Sequence, residues 1–280
     1  MSTGTLDLNT VRYNPVRFEG HVESYFLKVN EPNGAALSDV PAELTLTPGE
    51  SAGLIVGPDH RIAWDLRFSP RGAPLVHYPC PQMYEAPVPS FKLCSPCPDA
   101  RFEGELHVDG DCWSLDGWRG MQGHNLGRRH AERHAWSPCA LWDEGDDLLV
   151  EGVSATIALG PVKTPLFTLI HVRHEGTDDA FNTPVDLVRP SGEIGPRRWA
   201  FSAKSRRARI EGSVEASDDD FVGLHYPNPD GRMTYCLNTK RGAARVRFQP
   251  EGGPAIERSA RGAALEIATQ DPGHGVRMYV

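Results

Sequence analysis

Several features that mark common protein classes are missing from this sequence of 280 residues. It has no run of about 18 apolar residues, the length that a membrane-spanning helix needs. The first ten residues lack the basic and apolar segments of a signal peptide, so we expect a cytoplasmic location. The formal net charge is −8, from 37 acidic and 29 basic residues. This balance argues against nucleic acid as the main partner, because phosphate binding needs a cationic surface.

One basic cluster interrupts the acidic pattern. Its members are Arg197, Arg198, Lys204, Arg206, Arg207 and Arg209. We interpret the cluster as a solvated surface of strands and turns. The alternative is transient contact with an anionic membrane surface or an anionic substrate. The oligomeric state stays open.

Long segments with the 3.6-residue period of a helix are also lacking. Alternation of apolar and polar residues predicts strands instead, and clusters of Gly, Pro, Asn and Asp separate them. The alternating runs cover residues 101–108, 148–157, 166–173, 207–214, 243–249 and 263–269. Residues 108–111 and 228–231 are typical of hairpin turns. Together with 28 Gly and 24 Pro, the pattern predicts an all-β fold with little helix.

The predicted strands are too numerous for one small barrel, so we expect two antiparallel β-barrels packed together. The Pro- and Gly-rich stretch 183–196 is the predicted boundary, with an N-terminal barrel in residues 1–182 and a C-terminal barrel in 183–280. Residues 78–98, also rich in proline, are predicted to form a long ordered loop. Its apolar and aromatic residues would cap a cavity or simply plug a barrel end.

Cysteine spacing gives little support for a metal site. The six cysteines are Cys80, Cys94, Cys97, Cys112, Cys139 and Cys236. Cys94 and Cys97 form a Cys-x-x-Cys pair, but no second pair of ligands follows at the spacing of a zinc ribbon or zinc finger. We expect most of the six to be buried, reduced thiols, and we expect neither a metal nor a cofactor.

The segment 117–139 is the richest in groups that move protons near neutral pH. If it is a strand, His130, Glu132, His134 and Trp136 share one face. A helix would instead place His130 and His134 one turn apart, but a zincin motif needs Glu directly after the first His. A face of this kind, turned toward an apolar cavity, would suit proton transfer. A structural network of satisfied side chains is the alternative.

The same region resembles a known superfamily. The residues that carry the resemblance are Lys92-Leu93, Ala100-Arg101-Phe102-Glu103-Gly104, Val108-Asp109-Gly110, Asp116-Gly117-Trp118, Met121-Gln122-Gly123-His124-Asn125, Gly127, His130-Ala131-Glu132-Arg133 and Trp136. They are similar to the double-lipocalin superfamily, which contains carotenoid 1,2-hydratase (hydroxyneurosporene synthase), tocopherol cyclase and AttH-like proteins.

The resemblance implies two packed lipocalin-like barrels and an apolar cavity, with no metal or organic cofactor. It also implies protonation of a C=C bond in an isoprenoid or polyketide, followed by addition of water or ring closure. Many relatives carry Trp where this chain has Leu126. Trp136, Trp118 and Trp142 are the candidates to replace its stabilisation of a cation.

The resulting hypothesis is a cofactor-independent hydratase or cyclase acting on a hydrophobic small molecule. Glu132 is predicted to be the general acid, held protonated by burial; an ion pair with a neighbouring arginine is the alternative. His124, His130 and His134 are predicted to surround it. For His124 the alternative is a turn in which the ring only caps the backbone.

Substrate contacts are predicted for Asn125, Trp136, Trp118, Tyr78, Tyr84 and Gln122. The second hypothesis is a non-catalytic carrier of the same apolar ligands, which needs the cavity but no acid. A hydrolase ranks third, because the sequence has no Gly-x-Ser-x-Gly nucleophile motif.

Overall fold

Antiparallel strand pairing organises most of the chain. The computed structural model describes residues 7–12, 20–30, 36–38, 43–57, 60–159, 162–183, 185 and 192–279. Its strands form two large sheets and one two-stranded ribbon. In the described part, helix is limited to α1 (Gln82–Glu85) and a 3₁₀ turn at Asp218–Asp220. Among these residues no helix has the length and apolarity to cross a bilayer, and the cytoplasmic location stays a prediction.

The first sheet comes from the N-terminal half of the chain. Its strands are β1 (Val22–Asn30), β2 (Ala36–Ser38), β3 (Glu43–Thr47), β4 (Glu50–Val56), β5 (Arg61–Pro70), β6 (Leu75–Val76), β7 (Phe91–Val108) and β8 (Asp111–Gly127). They lie in the order β2-β1-β8-β7-β5-β4-β3, with β6 paired to β7.

The second sheet comes from the rest of the chain. Its strands are β9 (Arg133–Cys139), β10 (Leu148–Thr156), β13 (Phe167–His174), β14 (Thr177–Phe181), β15 (Gly192–Ile194), β16 (Arg198–Lys204), β17 (Ala208–Glu215), β18 (Val222–Pro227), β19 (Met233–Pro250) and β20 (Ile256–Thr269). The order is β14-β13-β10-β9-β20-β19-β17-β16-β15, and β18 pairs with β19. Strands β11 (Ala158–Leu159) and β12 (Val162–Lys163) form the ribbon.

These observations confirm the prediction of an all-β antiparallel fold with little helix. Three of the predicted alternating runs coincide with β10, β13 and β17 to within one residue at each end. The other three lie in the C-terminal parts of β7, β19 and β20, which begin seven or ten residues earlier than predicted. The predicted turn at 108–111 joins β7 to β8, with Asp109 and Gly110 both at positive φ. This is the backbone that a tight two-residue hairpin requires.

Two local predictions were wrong. The Pro-rich loop ends at residue 90, because residues 91–98 belong to β7. Bulges between Cys94 and Cys97 and between Cys97 and Ala100 interrupt the ladder there, and they accommodate prolines that lack an N–H donor. The predicted strand through His130 begins later, at Arg133, so His130 and Glu132 precede it.

The change from one sheet to the other falls between Gly127 and Arg133. It does not coincide with the predicted domain boundary after residue 182. Strands β9, β10, β13 and β14 precede that boundary, yet they lie in the same sheet as the C-terminal strands because β9 pairs with β20. The division into domains at residue 182 stays a prediction.

Each sheet has its own apolar core. Trp199, Phe248 and Leu265 lie in the core of the second sheet, and Phe102 and Leu66 in that of the first. A third cluster joins the sheets, with Leu93, Trp136 and Leu169 among its members. Burial of such side chains stabilises the fold by about 1.5–3 kcal/mol each.

An ion-pair network also connects the two sheets. The Arg119 guanidinium donates two hydrogen bonds of 2.8 Å to the carboxylate of Asp99. It donates others to Asp146 Oδ2 and to the carbonyl oxygen of Ala140, both in the loop after β9. The Arg119 side chain is only 9% exposed, so these partners must compensate the cost of removing its charge from water.

We expect Arg119→Met to lower the free energy of unfolding by up to about 3–5 kcal/mol, because it removes the hydrogen-bonded cation of the Asp99 carboxylate and leaves only Arg71 Nη1, at 3.8 Å, beside it. Urea unfolding at neutral pH measures the change. The matched control is Arg209→Met, which breaks an exposed pair with Glu211 and should cost less than about 1 kcal/mol. Equal costs for the two variants would contradict the proposed role of the network.

Candidate functional site

The interface between the sheets contains a fully buried carboxylate, that of Glu151 in β10. Its side chain is 0% exposed. Oε1 accepts hydrogen bonds from Ser95 Oγ at 2.7 Å and from the indole Nε1 of Trp136 at 3.0 Å. His77 Nε2 lies 3.3 Å from the same oxygen. The partners of this one oxygen come from both sheets and from the loop after β6.

Two histidines flank Glu151. His77, whose side chain is also 0% exposed, lies edge-on to His171, with the ring centroids 5.2 Å apart. His171 is the direct cross-strand partner of Glu151. We call His77, Glu151 and His171 the interface triad.

Several polar atoms of the interface triad are buried without a hydrogen-bond partner. They are Nδ1 and Nε2 of His77, Oε2 of Glu151 and Nε2 of His171. The 3.3 Å contact between His77 Nε2 and Glu151 Oε1 is therefore a close approach without hydrogen-bond alignment. Buried polar atoms in native proteins are nearly always paired, so these atoms are suited to contact water or a ligand.

Electrostatics separates the protonation states of the two sides of the triad. Burial opposes ionisation of Glu151, but contacts with His77, Ser95 and Trp136 outweigh it and hold the pKa of Glu151 below its ordinary value. Burial lowers the pKa of His171 to about 4, and the neighbouring His77 adds to this effect. At neutral pH the site therefore holds an anionic carboxylate and a neutral imidazole.

Strand alternation explains why these groups meet. Glu151, Val153 and Ala155 share one face of β10, and Leu169 and His171 share the matching face of β13. His77 is held by its own backbone: its N–H donates to Tyr84 Oη at 2.9 Å, and its carbonyl oxygen accepts from Asn182. The triad is thus bordered by apolar side chains of the inter-sheet cluster.

A second buried pair lies on the same face of the second sheet. His134 Nε2 is 2.9 Å from Glu266 Oε1, while His134 Nδ1 has no hydrogen-bond partner. Asn238 donates to Glu266 Oε2 at 3.2 Å and accepts from Lys240 Nζ at 2.7 Å. Trp136 is the cross-strand partner of Glu266, and its indole N–H donates a hydrogen bond to Glu151. Trp136 therefore lies between the two carboxylates.

Glu132 lies outside this interface. Its carboxylate forms ion pairs with Lys163 at 2.6 Å and with Arg232 at 2.9 Å. The hydrogen bond from Lys163 is the largest influence, and together with Arg232 it holds the pKa of Glu132 below its ordinary value. The geometry matches the ion-pair alternative, and it does not support a protonated Glu132.

His124 lies within β8, so residues 123–125 form no turn. Both ring nitrogens are engaged: Nδ1 contacts the carbonyl oxygen of Leu8 at 2.8 Å, and Nε2 contacts Glu23 Oε1 at 2.9 Å. The ring also stacks on Tyr25, with the centroids 4.0 Å apart. His124 therefore anchors the segment 7–12 and has no nitrogen left for a substrate.

Most of the other predicted site residues have structural partners. His130 stacks on Tyr226, and burial lowers its pKa to about 4. The hydroxyls of Tyr78 and Tyr84 donate to the carbonyl oxygens of Phe91 and Leu93. Gln122 donates to Asn9, Trp118 packs at the edge of the first core, and Asn125 is a half-buried strand residue of β8.

Of the predicted site residues, Trp136 donates a hydrogen bond to the Glu151 carboxylate of the interface triad, and Tyr84 accepts one from the backbone N–H of His77. The thiols of Cys94 and Cys97 are buried, which raises the pKa of each to about 12. Leu126, at the position of the relatives' Trp, lies in the inter-sheet cluster.

Sequence reasoning missed all three members of the interface triad. His77 is the neighbour of the predicted contact Tyr78, and Glu151 and His171 lie in strands that were predicted correctly. The signal in the sequence that could have revealed two of them is a titratable residue inside an apolar run: Glu151 in the run 148–157 and His171 in the run 166–173.

No family model matches the chain. Two uncharacterized proteins of Mycobacterium tuberculosis, from different strains, are each 29% identical to it over 211 residues. The matched region covers 74% of this chain but only 60% of each relative.

Two solved structures are also similar. Kievitone hydratase from Nectria haematococca has a TM-score of 0.49 at 10% identity, covering 90% of this chain and 82% of that one. A putative AttH from Nitrosomonas europaea has a TM-score of 0.38 at 14% identity, covering 79% and 65%.

We expect Gly123→Ala to destabilise the protein by about 1–3 kcal/mol through overpacking. A Cβ atom at residue 123 would lie 2.1 Å from Cζ of Phe26, whose ring packs edge-on against Trp136. Urea unfolding measures the loss, and Phe26→Leu in the same chain should recover part of it. Gly57→Ala is the control, since its nearest contact is 3.5 Å. A neutral Gly123→Ala would contradict the close packing at this point.

The pKa of His171 predicts a pH-dependent stability. Because that pKa falls from 6.5 unfolded to about 4 folded, the unfolded chain binds the proton first. His171 should therefore cost the fold about 3 kcal/mol as the pH falls from about 6.5 to about 4. Unfolding of His171→Asn across this range should show a shallower loss than the unsubstituted protein. The control is His107→Asn, at a half-exposed histidine, which should lose stability as steeply as the unsubstituted protein. An unchanged pH dependence of unfolding in His171→Asn would refute the assignment.

Proposed function

We propose that this protein is a cofactor-independent acid/base catalyst, a hydratase or cyclase, and that the interface triad is its active site. The substrate class is a hydrophobic isoprenoid- or polyketide-like molecule with a reactive C=C bond. The observation that carries the proposal is the buried Glu151 carboxylate between two histidines, with unpaired polar atoms on all three side chains.

The two histidines are suited to opposite roles. Nε2 of His77 lies 3.3 Å from the Glu151 carboxylate and its Nδ1 is unpaired, so we assign His77 as the proton donor. His171 is neutral at pH 7, and its Nε2 is unpaired, so it serves as the proton acceptor. Neighbouring titratable groups whose environments favour opposite protonation states are the pattern of an acid/base pair.

In the hydration reaction, the π electrons of the C=C bond form a new C–H bond with the proton of His77. The other carbon becomes cationic, and a water molecule forms the C–O bond while His171 accepts its proton. The proton then returns from His171 to His77 to complete the cycle. In a cyclisation, a hydroxyl group of the substrate replaces the water and gives its proton to His171. If a second C=C bond attacks instead, the new cation loses a proton from a neighbouring C–H bond to His171 and forms a C=C bond.

The surroundings support a cationic intermediate. Glu151 supplies a fixed negative charge in a water-poor region, where such a charge has a large effect. The indole of Trp136 is held beside it by the hydrogen bond to Glu151 and presents a π system of the kind that attracts cations.

An imidazolium is a moderate acid, so we favour an activated C=C, conjugated or electron-rich, over an isolated one. Because the triad is closed in the structure, entry of the substrate requires displacement of the segment after β6 that contains His77, Tyr78 and Tyr84. That segment is held to β7 mainly by the two tyrosine hydroxyls.

The test begins with native mass spectrometry and organic extraction of the purified protein, to identify a ligand of this class. The ligand is then incubated with the protein in D₂O, and deuterium incorporation at carbon is measured. We expect Glu151→Gln, which keeps an oxygen for Ser95 and Trp136 but removes the charge, to lower the rate by about 10²–10⁴-fold.

Glu132→Gln is the discriminating variant. If the interface triad performs the chemistry, this variant keeps its turnover, because Glu132 forms its ion pairs with Lys163 and Arg232 away from the triad. Loss of turnover in Glu132→Gln with full activity in Glu151→Gln would contradict the proposal and favour Glu132 as the general acid. A bound ligand that the unsubstituted protein leaves unchanged would favour the carrier hypothesis.

A further inference from the structure

A second cluster of potential ligand atoms lies at the far end of the first sheet, on its solvent side. Glu105 and His107 are two residues apart on β7, so they project from the same face. Cys112, on β8, is paired directly with His107. The ligand atoms of the three side chains all lie within 4.8 Å of one another.

The hairpin geometry accounts for this proximity. Because the two-residue turn at Asp109 and Gly110 begins the β7–β8 ladder at Val108 and Asp111, the next pair, His107 and Cys112, is of the non-hydrogen-bonded type. Side chains of such pairs approach each other more closely than those of hydrogen-bonded pairs. The ligands are therefore arranged by backbone pairing that does not depend on a metal.

The distances match a tetrahedral site. Glu105 Oε2 lies 3.2 Å from His107 Nε2, and Cys112 Sγ lies 3.8 Å from the same nitrogen. Zinc bound at about 2.0 Å to nitrogen and oxygen and about 2.3 Å to sulfur separates neighbouring ligands by about 3.3–3.6 Å. The Glu105–His107 and His107–Cys112 separations are thus within a few tenths of an ångström of these values, and the third separation, between Glu105 and Cys112, is at most 4.8 Å.

The local charge favours a cation. Asp65 of β5 lies directly opposite Glu105, an arrangement of like charges that destabilises a sheet unless something compensates it. Asp109 and Asp111 of the adjoining turn are also exposed. A thiol, an imidazole and a carboxylate together select a zinc-type ion over magnesium or calcium, which prefer oxygen ligands.

We propose that Glu105, His107 and Cys112 form a binding site for a zinc-type divalent cation, with solvent in the fourth position. The site is separate from the interface triad: His107 lies twelve residues along β7 from Ser95. The proposal therefore does not depend on the proposed function.

Titration of the chelator-treated, reduced protein with zinc chloride and with cobalt chloride tests the site. We expect one zinc per chain by calorimetry and native mass spectrometry. About one proton should be released as the thiol becomes a thiolate. Cobalt should give a near-ultraviolet sulfur-to-cobalt charge-transfer band, which only a thiolate ligand produces.

Cys112→Ser should abolish this band and weaken zinc binding by at least about 10-fold, since loss of even an outer-shell partner costs 10–100-fold. His107→Gln should also weaken binding. Cys80→Ser, at a half-buried thiol elsewhere, should leave both readouts unchanged. The side chains at the site are largely exposed, so the variants should fold, as far-ultraviolet circular dichroism can verify. Absence of stoichiometric zinc binding, or a band that survives in Cys112→Ser, would overturn the proposal.

Discussion

The relative position of the two sheets depends on buried charge. Glu151 belongs to the second sheet, but Ser95 of the first sheet donates to it. Arg119 and Asp99 belong to the first sheet, and Asp146 from the loop after β9 completes their network. Removing such charges from water costs several kcal/mol unless partners compensate. Sliding one sheet over the other would separate these partners, so the ion pairs fix the alignment that apolar packing alone would leave less specific.

The same constraint places the acid/base groups. Since Glu151 is tied to Ser95 and Trp136, its second oxygen and the two histidines are held in a region that apolar side chains isolate from solvent. The contacts of Glu151 therefore keep its carboxylate ionised although burial opposes the charge. For His171, burial itself keeps the ring neutral. Stability and the proposed chemistry depend on the same contacts, which accounts for the charged residues inside strands that are otherwise apolar.

The sequence predicted what local rules determine. Alternation located the strands, and the residues at 108–111 located a hairpin, because strand faces and tight turns depend on neighbouring residues. The Pro-rich segment was wrongly predicted to be a loop throughout, because β-bulges allow Pro96 and Pro98 to lie inside β7. The site was harder to predict because Glu151 meets His77 and Ser95 only through tertiary packing. Density of histidines in sequence favoured 130–136 instead, where His130 and Glu132 have structural partners.

The unpaired atoms bear on the choice between catalyst and carrier. Leaving a buried polar atom without a partner costs about 1–3 kcal/mol, and four such atoms of the interface triad would together rival the net stability of a typical domain, about 5–15 kcal/mol. An apolar ligand satisfies none of these atoms, so a carrier would leave them to buried water molecules alone. A reaction that brings water or a substrate hydroxyl to the triad does satisfy them, and it uses the same hydrogen bonds to move protons. The arrangement is therefore better explained by chemistry at the interface than by binding alone.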